Sequence, residues 1–218
     1  MILTNRLFIR RPPSRDARSV YIFCEGVKRE YQYFSYFKEL DSRINIEIYP
    51  LSPNENNSPI GLFSIASKCL LKTEDNPNPK YELIKGDQVW IVLDTDLDEF
   101  ESRQPQLVDL MEKCNELKWN IAQSNPCFEV WLYYHFFDKK PAFDGDTFCK
   151  GWKPLLDDIG GFDSRKHPIF VQTAIENAEV NFSKNDGLPV KGSTEVFMLS
   201  KSILPLFKEK IDKVLNEL

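Results

Sequence analysis

Two stretches place carboxylates directly after strand-forming runs. In VYIFCEGVKREYQYF, residues 20–34, Glu25 and Gly26 follow an apolar run of β-branched and aromatic residues. In VWIVLDTDLDEF, residues 89–100, Asp94, Asp96 and Asp98 follow a second such run. Groups beyond the carboxyl ends of parallel strands line the crevice that crossover connections open. If the two strands are neighbours, these carboxylates converge, and like charges held that closely need a counter-ion or raised pKa values. Hard oxygen donors suit Mg2+ or Mn2+, which keeps several waters and bridges to a phosphate. Gly26 would let the backbone approach a ligand, and Lys28 and Arg29 at the following helix start would add positive charge for a phosphate group. The plainer alternative is that carboxylates after strands cap helices or sit in solvated turns. Both readings stand for Glu25 alone, whereas so dense an aspartate set after an apolar strand favours function. Asp98, Glu99 and Glu101 also read as solvated loop charges.

The elements that would position these groups alternate between strand and helix. Residues 19–24 and 88–93 read as buried strands, and 44–49 (INIEIY) as an alternating one. Tyr33, Tyr36, Phe37 and Leu40 lie on one face of a helix over 29–40. Ser58 and Pro59 open a helix running to about Leu71. Residues 73–80 (TEDNPNPK) are a loop. A helix over 105–117 begins at Pro105, and 119–123 form a short strand. SNPCFE, residues 124–129, reads as a helix start, with Asn125 as cap and Pro126 first in a helix to Phe137. From 138 onward the pattern gives helices over 145–158, 168–183 and 194–217, with a loop over 184–193 and a bend near Pro205. The fold class expected is α/β, a mostly parallel sheet flanked by helices with a helical C-terminal part. Residues 1–18 would form a flexible basic lead-in, 19–137 the α/β core, and 138–218 an extension packed on the same domain.

Bulk properties narrow the partners. The 218 residues carry a net charge of −5, so nucleic acid would have to be held by a local patch, a metal or a partner rather than by overall charge. Five scattered cysteines in no CxxC pair suit reduced thiols in a cytoplasm and argue against zinc, as do the two histidines. The charged, proline-broken N-terminus does not read as a secretory signal, and no segment reads as a membrane span.

Other sites have two readings each. Ser124, Asn125 and Glu129 either start a helix or face the crevice as substrate groups. In KGSTE, residues 191–195, Lys191 and the two hydroxyls would contact a phosphate, or Ser193 or Thr194 would simply cap a helix. His135 shares a helical face with Phe128, Leu132 and Phe136 and reads as a packed core residue. Cys127, next to a helix start, lacks a base nearby in sequence and does not read as a nucleophile.

CEG after one strand and LDTDLD after a later one resemble the Toprim arrangement, a catalytic glutamate with a DxD pair that binds magnesium. Together with IAQSNPCFEVWLYYHF and KGSTEVFMLSKSIL, these words resemble the RloB-like family over residues 18 to 204. The resemblance implies a Toprim-like fold with Glu25 as its glutamate and Asp94 and Asp96 as its DxD pair. It implies Mg2+ as cofactor, an AAA-type ATPase as partner, and a place beside restriction-modification and phage-defence genes. The segment after the DxD departs from ordinary Toprim sequences in lacking a glycine.

Three functions follow as expectations. The first is a Mg2+-dependent nuclease or phosphodiesterase in bacterial defence, acting on DNA or RNA, tRNA included. The second is a non-catalytic or self-inhibited module docked on an ATPase. The third is a haloacid-dehalogenase-type phosphatase with Asp94 as nucleophile and Asp96 as acid/base, which leaves Glu25 unexplained. A homo-oligomer is compatible with each.

Overall fold

The computed structural model describes residues 8–95, 100–142 and 149–217. Four parallel strands make up most of the sheet: β1 Arg18–Cys24, β2 Ile44–Tyr49, β3 Gln88–Asp94 and β4 Asn120–Asn125. A small hairpin follows later in the chain, β5 Lys184–Asn185 with β6 Leu188–Pro189. A two-residue strand, β7 Ser193–Thr194, then adds antiparallel to the outer edge of β4, giving the order β2-β1-β3-β4-β7.

The helices cover both faces, which is why β1 and β3 read as nearly continuous apolar runs. On one face α2 (Pro59–Leu70) and α3 (Phe100–Leu117) pack against Tyr21, Phe23, Val89, Ile91 and Leu93. On the other, α1 (Arg29–Ser35) covers Val20, Ile22, Trp90 and Val92. The same cluster takes in α4 (Glu129–Tyr133), α5 (Cys149–Asp157), α6 (Val171–Val180), α7 (Val196–Ile203) and α8 (Lys208–Asn216). Alternation of side chains along each strand feeds the two cores separately. Ser58 caps α2, its Oγ accepting from the Gly61 N–H at 3.1 Å.

Several expectations need correction. Described residues of the lead-in are tied down: Arg10 donates to the carbonyls of Tyr36 and Lys38, and the Arg11 N–H to that of Glu39. Asn125 does not cap a helix. It ends β4, a cis bond joins it to Pro126, and α4 begins only at Glu129. The reading of 184–193 as loop and 194–217 as one helix missed the hairpin and β7, because two-residue strands have no periodicity to detect. Pro205 lies in a 3-10 turn, Leu204–Leu206, that divides α7 from α8. Cys127 and Cys149 are joined in a disulfide, with Cα atoms 5.5 Å apart, while Cys24, Cys69 and Cys114 are free and buried.

Candidate active site

β2 lies on one side of β1 and β3 on the other, so the chain reverses its direction of travel across the sheet between β1 and β3. The crevice for a ligand opens beyond the carboxyl ends at such a switch. Register fixes what stands there. Cys24 is opposite Val92, and the Glu25 N–H donates to the Val92 carbonyl at 3.0 Å, which brings Glu25 beside Asp94.

The Glu25 carboxylate is held from two directions. Arg103, in the first turns of α3, donates from Nη1 to Oε1 and from Nη2 to Oε2, each at 2.8 Å. Its Nη2 also reaches the Asp94 carbonyl at 3.1 Å, and the Asp94 N–H donates to Glu25 Oε2 at 3.2 Å. Both ends of this ion pair are nearly buried, with side-chain exposures of 9% for Arg103 and 14% for Glu25. A bidentate guanidinium of this kind fixes orientation as well as charge.

Two further carboxylates join them. Glu30, in the first turn of α1, folds back over Gly26, where a Cβ would fall 1.9 Å from its Oε2. The glycine therefore makes room for the chain's own carboxylate. Glu129, the first residue of α4, is buried and pairs with Arg29. Burial raises the Glu30 carboxyl to about 7, with Glu129 and Glu25 adding to the effect. The Asp94 carboxyl is raised well above the usual range by its deep setting and by Glu30, Glu25 and Glu129, against a hydrogen bond from the Phe128 backbone. Among the described residues, four carboxyl groups thus meet two guanidiniums, an excess of two negative charges once Asp94 and Glu30 are both ionised. Asp96 and Asp98 lie outside the described residues.

This geometry sits within a chain whose residues 20–203 match the family model described as RloB-like protein. The chain belongs to the RloB-like family. No curated protein and no solved structure matched it.

The remaining candidates of this RloB-like chain divide into those near the cluster and those built into its frame. Lys28 is exposed at the residue before α1, and Arg29 is engaged with Glu129. Ser124 is buried in β4, its hydroxyl bonded to that of Thr194 at 2.7 Å and its carbonyl accepting from the Thr95 N–H at 2.9 Å. Asn125 donates from Nδ2 to the Pro189 carbonyl at 2.7 Å. Both contacts hold β4 to the C-terminal segment. Lys191 lies half-buried in the turn before β7. Ser193 binds Lys140, the Ser183 N–H and the Asn181 carbonyl, and Thr194 Oγ1 accepts from the Val196 N–H at 3.2 Å at the start of α7.

His135 is a core residue, as its helical position implied. Burial lowers its pKa to about 3, Nδ1 donates to the Trp131 carbonyl at 3.1 Å, and Nε2 accepts from the Tyr33 hydroxyl at 3.2 Å. The neutral imidazole satisfies both contacts. Sequence reasoning missed Glu30 and Arg103. Glu30 carried a weak signal, a carboxylate in the first helical turn just after CEG. Arg103 carried none, since its partner stands 78 positions away.

Proposed function

We propose that this RloB-like chain is a Mg2+-dependent phosphodiesterase acting on nucleic acid in antiviral defence. The observation that carries the reading is the surplus of buried carboxylate at the β1/β3 switch. Ionised, Asp94 and Glu30 would leave two negative charges beyond the two guanidiniums, which one divalent cation would balance, and the donors are hard oxygens of the kind Mg2+ selects. Asp94, with Glu25 and the two aspartates that follow, would hold the ion, which when bound supplies Lewis-acid polarisation of a phosphoryl oxygen and a more acidic water. Glu25 keeps accepting capacity at Oε1, which accepts one hydrogen bond from Arg103, whereas Oε2 accepts two.

The chain's own residues then have distinct tasks. Arg103 fixes the rotamer of Glu25 and, with the Asp94 N–H, its register against β3. Glu30 has a carboxyl poised near neutrality and can take a proton from an attacking water at its Oε2. Lys28 and Arg29 stand on the rim, where a substrate phosphate would approach an otherwise acidic protein.

A self-inhibited state is the second reading, and the bidentate Arg103–Glu25 pair favours it, since the guanidinium occupies the catalytic carboxylate when no ligand is bound. An AAA-type ATPase would be the partner that releases it. The phosphatase reading gives Glu25 and Glu30 no role beside Asp94.

Calorimetric titration with Mg2+ and Mn2+ tests the proposal on wild type, Asp94→Asn and Glu25→Gln, followed by incubation with single- and double-stranded DNA and tRNA. One bound ion, lost in Asp94→Asn, with cleavage abolished in Glu25→Gln, is the expected outcome. Binding indifferent to both substitutions overturns it. Binding without cleavage by the isolated chain, with cleavage on adding the ATPase, selects the self-inhibited form.

A further inference from the structure

The disulfide stands in a place that the carboxylate chemistry does not explain. Cys127 lies between the end of β4 and α4, and Cys149 is the first residue of α5. Their sulfurs and a Glu129 carboxylate oxygen all lie within 4.8 Å of one another, with Cys149 Sγ 3.4 Å from Glu129 Oε2. Once reduced, these two sulfurs and the carboxylate would make a donor set unlike the all-oxygen cluster beside it. Cys127 and Glu129 are buried, which preorganises their positions, and the half-buried Cys149 leaves a way in.

We propose that Cys127, Cys149 and Glu129 form a second metal site, which takes a soft divalent cation of the zinc class when the cysteines are reduced and is closed by their disulfide when they are oxidised. Sulfur donors select zinc over magnesium, and three protein ligands leave a fourth, tetrahedral position for water. The two states exclude each other chemically. Oxidation joins the sulfurs, releases two protons and passes two electrons to an external disulfide or peroxide, and no thiolate remains for a metal. Reduction by a dithiol reverses it. Glu129 links the site to its neighbour, because a cation there would draw its carboxylate from Arg29 and relieve part of the repulsion felt by Asp94 and Glu30.

The test uses the full chain, reduced and kept anaerobic, with excess Mg2+ to fill the oxygen cluster and Co2+ as the probe. One equivalent of Co2+ should give a thiolate-to-cobalt charge-transfer band with tetrahedral visible absorption, displaced by Zn2+. Cys149→Ser, at a half-buried position and checked for folding by circular dichroism, should lose the band. The oxidised protein should lack it, with three titratable thiols in denaturant against five after reduction. A folded, reduced protein with five thiols and no such band overturns the proposal, as does a band that survives in Cys149→Ser or in the oxidised form. Neither result depends on whether the carboxylate cluster hydrolyses anything.

Discussion

Glu30→Gln isolates the charge that is least at ease in the fold. The Glu30 carboxyl moves from 4.5 to about 7 on folding, chiefly through burial, so the folded state retains a proton that the unfolded chain releases. Its sign is that of a raised acid: no penalty below pH 4.5, a growing one through the window, and the full cost above about 7. At roughly 1.36 kcal/mol per pKa unit the cost reaches about 3 kcal/mol. The amide carries no charge and fits the same space over Gly26, so Glu30→Gln should be more stable than wild type by up to that amount at pH 8 and nearly equal to it at pH 4.5. For a chain of this size, about 3 kcal/mol corresponds to a melting-temperature gain of about 6–12 °C. Relief of Asp94 acts in the same direction, since Glu30 is the largest charge contributing to its shift. Melts of both proteins in EDTA across pH 4.5–8 supply the measurement. A difference that stays flat with pH refutes the reasoning. Repeating the melts with excess Mg2+ should narrow the gap, because a cation in the cluster makes ionised Glu30 an asset.

Other perturbations follow from the same geometry. Arg103→Ala leaves the nearly buried Glu25 without its guanidinium and should cost about 3–5 kcal/mol in urea unfolding without metal, with partial recovery on adding Mg2+; a loss under 1 kcal/mol would show that Glu25 is solvated. Gly26→Ala should leave the fold intact, because the atoms in the way end a flexible side chain, yet it must displace the Glu30 carboxylate. Its melting curve should lose the pH dependence attributed to Glu30, and unchanged dependence would contradict the packing described. Reduction of the Cys127–Cys149 bridge opens a loop with a sequence separation of 22 and should lower stability by about 3 kcal/mol, read as a drop in melting temperature with dithiothreitol that Cys149→Ser does not show. His135→Leu should soften acid unfolding between pH 6 and 4, because wild type pays to protonate a buried imidazole whose folded pKa is about 3; identical acid transitions in both would argue against it.

The sequence by itself determined the elements with strong local signals and the residues that end them. Apolar, β-branched-rich runs at 19–24 and 88–93 read as strands buried on both faces, and chain order then puts Glu25 and Asp94 at their carboxyl ends. Ser58–Pro59 determined a helix start in the same local way. Tertiary structure decided everything that depends on distance through space. Only the order β2-β1-β3 made Glu25 and Asp94 neighbours, and only the return of α3 brought Arg103 to Glu25. Asn125–Pro126 read as a helix cap because that pair is a good one locally, but pairing with Ser193 of β7 kept Asn125 in the strand. Cys127 and Cys149 are 22 positions apart in no recognisable pattern, and the packing of α5 on α4 made them partners. A residue's local propensity is written in its near neighbours, whereas its charge partner is set by loop closures whose geometry no short stretch of sequence contains.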